Sequence, residues 1–204
     1  MNNPTSNIQK QDNQFIHPWD NFQNLGNNQR TVVDKGDGIY IYDSQGNRLI
    51  DGPSGMWCVN IGHGREEMAQ AIYDQVMQLP FTSPWSMATS PAAQFSQALA
   101  AEAPGDLNHA FLTTCGSTAV DSALRFVQFY NNVRGKPEKK HIIAHQKGYH
   151  GSTYLGASVS GKERDKNHLD FVSDLVHHIP APHPLWKKDG QSDTEFLDQC
   201  AANL

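Results

Sequence analysis

The chain has 204 residues, 38% of them hydrophobic and 9% aromatic, which is the balance of a folded globular protein rather than a disordered one. Sixteen Lys and Arg against 21 Asp and Glu leave a formal charge of -5, so no broad basic field exists to grip a nucleic acid. No run approaches the roughly 20 apolar residues of a membrane span, and the N-terminus lacks the basic-then-apolar order of a secretory signal.

Residues 1–14 are rich in Asn and Gln and read as a mobile tail, or an arm that packs on a partner. The aromatic segment Phe15-Ile16-His17-Pro18-Trp19 follows. From Thr31 to Ile50 short β-branched and aromatic runs alternate with turns at Gly36–Gly38 and Ser44–Asn47, which predicts a small antiparallel meander. Met68, Ile72, Val76 and Leu79 form one apolar stripe, predicting a helix from about Arg65 to Leu79 that Pro80 stops. A second helix is expected to start at Ser90-Pro91 and end before Pro104-Gly105.

Beyond that point strands and helices alternate. Ala110–Leu112 is a short strand candidate that runs into Cys115-Gly116-Ser117 and a helix. His141–Ala144 is the next strand, followed by Gly148-Tyr149-His150-Gly151 and a short helical stretch, then a strand over Leu175–Ile179. This order predicts an α/β fold with a mostly parallel sheet. Asp193 to Leu204 starts like a capped helix, with Phe196, Leu197, Cys200 and Leu204 on its apolar face and no stop signal. The chain is therefore expected to end inside a helix, as a truncated piece of a longer protein would.

The sharpest local feature is Thr113-Thr114-Cys115-Gly116-Ser117-Thr118 between a strand and a helix. Glycine lets a ligand approach the backbone, and first-turn N–H groups with the Ser117 and Thr118 hydroxyls suit a phosphate. A plain cap and tight turn is the competing reading. Neither a P-loop nor a dinucleotide fingerprint is present, and Ser117 lacks the G-x-S-x-G elbow of a serine hydrolase. In a parallel sheet, Gly148–Gly151 opens onto the same edge, where Tyr149 suits a planar cofactor and His150 is either a proton carrier or structural. Trp57, between glycines, and Trp85, in a loop, suit a pocket wall or a subunit contact. No metal site is expected. His177 and His178 point to opposite faces of a strand, and no cysteine pair has ligand spacing. The three distant cysteines, Cys58, Cys115 and Cys200, argue for a reducing cytoplasm.

Taken in order, the motifs HPW, DGIYIYDSQGNRLIDG, GMWCVNIGHGREEMAQAI, APGDLNHAFLTTCGSTAVDSALRFVQFY and KGYHGSTYLGASVSG resemble the N-terminal part of the class III aminotransferases. Within that family of pyridoxal-phosphate-dependent enzymes the likeness is to the branch acting on amines or omega-amino acids with pyruvate. The resemblance implies an incomplete transferase fold of type I. Residues 1–30 would be an N-terminal arm, 31–64 a small antiparallel β segment and link, and 65–204 the first part of the large cofactor-binding α/β domain. It implies pyridoxal 5'-phosphate as cofactor, an amine donor, a keto acid acceptor, and a homodimer with shared active sites. Residue by residue, Gly116 and Ser117 would hold the phosphate with Thr118 beside them, Tyr149 would stack on the pyridine ring, and His150 would accompany it. Trp57 and Tyr149 would line the substrate pocket, and Trp85 would be the aromatic that a neighbouring subunit contributes.

The chain departs from the family in two ways. Many relatives carry Ser-Gly-Ser-Glu-Ala-Asn where Cys115-Gly116-Ser117-Thr118-Ala119-Val120 stands, which replaces a charge with a hydroxyl. The resemblance also puts the Schiff-base lysine beyond Leu204; Lys147 does not match it. The 204 residues alone are thus expected to be inactive as a transaminase, and the alternative is a truncated homologue that binds cofactor or dimerises.

Overall fold

The Asn- and Gln-rich start of the chain is helical: α1 runs Pro4–Asp12 in the computed structural model, which describes residues 4–203. The expected tail is instead tied down. Thr5 Oγ1 donates to Ser44 Oγ at 3.0 Å and Gln9 Nε2 to the Arg30 carbonyl at 3.3 Å. Asp12 accepts from Arg30 Nη1 at 3.2 Å and pairs with His17 Nε2 at 2.8 Å. Arg30 also grips Asp20 with both carboxylate oxygens, at 2.5 and 2.6 Å. Hydrogen bonding from His17, more than the Arg30 charge, holds the Asp12 carboxyl below the usual carboxylate range. Composition alone hides this, because the anchors are side-chain pairs far apart in sequence.

The chain divides after Ser90 into two units. The first contains the expected meander as β1 (Val33–Asp37), β2 (Tyr40–Asp43) and β3 (Arg48–Ile50), antiparallel in the order β1-β2-β3. Asp43 shapes the second turn by accepting the Gln45 and Asn47 N–H groups at 2.9 and 2.8 Å. The first turn lies at Gly38-Ile39 rather than Gly36–Gly38. Gly36 stays in its strand because His63 packs there, with Nδ1 2.7 Å from where a Cβ would sit. A short helical turn, α2 (Ser54–Trp57), precedes α3 (Glu66–Gln78). α3 has the predicted extent, with Arg65 and Leu79 as its caps. Its stripe remains open: Met68, Ile72 and Val76 are 47%, 57% and 52% exposed.

α4 (Ser90–Glu102) matches its predicted bounds, with Ser90 inside the helix instead of before it. The second unit has α5 (Gly116–Val133), β4 (Ile142–His145), α6 (Tyr154–Val159), β5 (Val176–Ile179) and α7 (Asp193–Ala201). β4 and β5 pair in parallel, Ile142 opposite Val176 and His145 opposite Ile179, as the alternating order requires. Ala110–Leu112 forms no strand. A strand exists only where a neighbour takes its N–H and C=O groups, and no neighbour pairs with it among the described residues. Instead this segment and the apolar face of α5 border an open cleft of about 880 Å³ that includes Phe111, Phe126 and Phe129.

α7 begins at a reciprocal cap: Glu195 N–H donates to Ser192 Oγ at 3.2 Å, and Ser192 N–H to Glu195 Oε2 at 2.9 Å. It ends at Ala201 with Ala202 as C-cap, whereas the sequence shows no stop signal; Leu204 lies outside the described residues. Among the described residues the buried apolar side chains are Ala144, Val159, Ile179 and Phe196, all in the second unit. Exposed large apolar side chains occur in each unit, Ile72 and Val76 on α3 and Phe111 and Phe126 at the cleft among them, so each unit carries uncovered apolar faces.

Candidate functional site

α5 starts at Gly116 because Cys115 is extended, at φ -165°, and joins Thr118 in a reciprocal cap. The Cys115 N–H donates to Thr118 Oγ1 at 3.2 Å, and that hydroxyl donates to the Cys115 carbonyl at 2.9 Å. Thr118 therefore spends its hydroxyl on shaping the turn. Gly116 and Ser117 are left with first-turn N–H groups that have no intrahelical acceptor, at the positive end of the helix dipole. Nothing lies within 4 Å of a Cβ position at Gly116, so the backbone there is open to an anion.

The loop after β4 closes against this turn. Ser152 N–H donates to Ser117 Oγ at 3.2 Å. A hydroxyl that accepts one hydrogen bond keeps its own proton to donate elsewhere. Gly151, at φ +119°, comes so near that a Cβ would lie 2.7 Å from Ser117 Oγ and 2.8 Å from its Cα. Thr153 Oγ1 and the Gly156 N–H both donate to Asp121 Oδ1, at 2.7 and 2.8 Å.

Tyr149 is 47% exposed. Its hydroxyl lies 2.9 Å from Ser152 Oγ, and the Lys162 ammonium sits 5.4 Å from the ring centre, within cation–π range. His150 N–H donates to Ser160 Oγ at 2.8 Å. Its imidazole lies against Gly148, with Nε2 3.0 Å from a Cβ position there. The fold thus brings Gly116, Ser117, Thr118 and the Tyr149-His150 loop together in one unit. A phosphate at the open turn, with an aromatic ring on the neighbouring loop, fits this donor set.

Trp57 and Trp85 belong to the other unit. Trp57 closes a left-handed turn: Ser54, Gly55, Met56 and Trp57 have φ of 52°, 57°, 59° and 65°. Such residues cost about 1–2 kcal/mol each unless they are glycine, so strong anchors are needed. Asp51 Oδ2 supplies two, accepting the Gly55 N–H at 2.9 Å and pairing with His63 Nε2 at 2.8 Å. Those bonds, His63 first, hold the Asp51 carboxyl below the usual carboxylate range. Ser54 Oγ adds a bond to the Val59 carbonyl at 2.8 Å. Trp57 is 74% and Trp85 95% exposed.

Sequence reasoning missed Asp121, Ser152 and Thr153. The available signal was spacing: Asp121 stands four residues after Ser117 and so shares its helix face. Of the two histidines on β5, His178 has another use: its Nε2 lies 3.0 Å from the Val159 carbonyl. Among the described residues no three His, Cys, Asp or Glu side chains converge, and no helix is long and apolar enough to cross a membrane.

Cys115 offers a direct probe of the turn. Hydrogen bonds from the Thr118 backbone, then from its hydroxyl, hold the thiol below its ordinary pKa. A lowered pKa means more thiolate at a given pH and faster alkylation. Iodoacetamide is expected to label Cys115 ahead of Cys58, whose Sγ instead donates to the Met56 carbonyl at 3.5 Å, and inorganic phosphate is expected to slow labelling at Cys115 alone. Peptide mapping by mass spectrometry reads both. Equal rates with no protection would remove the anion from this turn.

Comparison with known proteins gives one consistent family. Residues 22–204 match the family model described as aminotransferase class-III. Putrescine–pyruvate aminotransferase of Pseudomonas aeruginosa is 37% identical over 182 residues, 89% of this chain and 40% of that protein. The omega transaminase of Pseudomonas jessenii, solved in complex with PMP, superposes with a TM-score of 0.91 at 30% identity, over 96% of this chain and 44% of that one. A transaminase from directed evolution by ancestral reconstruction gives a TM-score of 0.94 at 32% identity, over 98% of this chain and 45% of that one. The chain spans about 40% of the length of the first of these relatives.

Proposed function

The chain belongs to the class III aminotransferase family, and from that premise we propose that it supplies the phosphate-holding and ring-stacking part of a pyridoxal-phosphate-dependent transaminase. The proposed reaction moves an amino group from an amine or omega-amino acid to a keto acid such as pyruvate. The observation that carries this reading is the meeting of Ser117 with the loop of Tyr149 through Ser152 N–H. When bound, the cofactor supplies an aldehyde that carries the amino group and a ring that accepts electron density as the donor loses its proton.

The residues of this chain have separate tasks. Gly116 and Ser117 hold the phosphate with backbone N–H groups and the Ser117 hydroxyl, while Thr118 keeps the turn in shape. Tyr149 covers the ring with its exposed face, and His150 backs the loop. Trp57 walls the substrate pocket, and Trp85 serves the active site of a second copy in a homodimer. Proton transfer falls to a lysine outside these residues. The unpaired cysteines fit a reducing compartment, so the cytoplasm is the proposed location.

The test is borohydride reduction of the protein from its native source in the presence of pyridoxal phosphate, followed by intact mass. One reduced adduct per chain supports the transaminase. Reversible binding without an adduct favours the inert cofactor-binding homologue. Absence of both binding and adduct would remove the reading.

A further inference from the structure

Four hydrogen-bond contacts join the first two turns of α5 to the loop that carries Tyr149 and the start of α6, and two of them end on one oxygen. Asp121 Oδ1 accepts the Thr153 hydroxyl at 2.7 Å and the Gly156 N–H at 2.8 Å. The Thr153 hydroxyl also lies 3.3 Å from the Ser117 carbonyl, and Ser152 N–H donates to Ser117 Oγ at 3.2 Å. Thr153 is the N-cap of α6, yet its hydroxyl makes no cap bond to its own helix. At such a position the side-chain oxygen ordinarily accepts an N–H from the first turn. Here the third residue of α6, Gly156, is served by a carboxylate from α5 instead.

This arrangement has little slack. Gly156 is buried, and a Cβ on it would lie 2.9 Å from both Thr153 Oγ1 and the His150 carbonyl. The start of α6 therefore cannot slide along α5 without breaking two bonds to a charged acceptor, the stronger kind. What the carboxylate holds in place is the downstream end of the Tyr149 loop.

We infer that Asp121 is a positioning residue for cofactor capture: it sets the spacing between the phosphate-holding turn at Gly116–Ser117 and the ring of Tyr149. The inference rests on the proposed cofactor reading of those two groups. Inorganic phosphate needs the turn alone, whereas pyridoxal phosphate needs turn and ring at the correct separation. Loss of Asp121 should therefore divide the two ligands.

The experiment uses the protein expressed from its native reading frame, titrated separately with pyridoxal phosphate and inorganic phosphate. Asp121→Ala is expected to weaken pyridoxal phosphate about tenfold or more, with phosphate affinity held within about twofold. Asp121→Asn keeps an acceptor oxygen with two lone pairs and is expected to restore most of the loss. Thr153→Val keeps the branched shape, removes one of the two donors, and carries the test where Asp121→Ala does not fold. Unchanged pyridoxal-phosphate affinity in Asp121→Ala and Thr153→Val overturns the inference alone. An equal loss of both ligands, with a lowered melting temperature, also overturns it, because that is a purely structural role. A wild-type protein that binds no pyridoxal phosphate overturns the site reading, and this inference with it.

Discussion

Gly151→Ala is expected to weaken capture of pyridoxal phosphate about ten- to a hundredfold. Two effects combine at this residue. Its φ of +119° is a conformation L side chains rarely adopt, and forcing one there costs about 1–3 kcal/mol, where each 1.4 kcal/mol is about tenfold in affinity. A Cβ would also lie 2.8 Å from Ser117 Cα, a backbone atom that cannot turn aside. The loop must then withdraw, taking with it the Ser152 N–H that meets Ser117 Oγ. Gly135→Ala is the matched control. Gly135 sits just past the end of α5 at φ +69° with nothing within 4 Å of a Cβ position, so a side chain there meets the backbone cost with no clash at Ser117. Fluorescence titration of both variants decides the matter. Selective loss in Gly151→Ala supports cofactor capture between the Ser117 turn and the Tyr149 loop, while equal losses would mean general destabilisation.

The 204-residue polypeptide by itself is expected to self-associate rather than remain a monomer. Large apolar side chains stand open in each unit: Met68 and Ile72 on α3 are 47% and 57% exposed, and Phe111, Phe126 and Phe129 at the cleft are 82%, 66% and 64% exposed. Each such side chain left in water forgoes about 1.5–3 kcal/mol, and contiguous faces of this kind mark association surfaces. Light scattering with size-exclusion chromatography, and binding of an apolar dye, read the outcome. A monodisperse 204-residue monomer that binds no dye would mean these faces close against each other in solution.

Much of the local structure was legible because its causes are local. Arg65 and Pro80 bracket α3, Cys115-Gly116 opens α5, and the Ser192–Glu195 pair opens α7. The parallel pairing of β4 with β5 followed from strand–helix alternation. Ser44–Asn47 announced its turn through residues that hydrogen-bond their own backbone. The same reasoning failed at Ala110–Leu112, where an apolar β-prone run is a necessary condition for a strand but a paired neighbour is the sufficient one.

At the candidate site the division is similar. Gly116, Ser117 and Tyr149 carry their signal in residue type and in their place after strand candidates, and sequence by itself singled them out. It could not tell that Thr118 spends its hydroxyl on the cap, that Trp57 closes a left-handed turn, or that Asp121 meets Thr153 across 32 positions. Caps, turns and helix stripes depend on neighbours within a few residues, so composition and spacing determine them. Which donor reaches which acceptor across the fold depends on how α5 and the Tyr149 loop pack, and only the tertiary structure decides that.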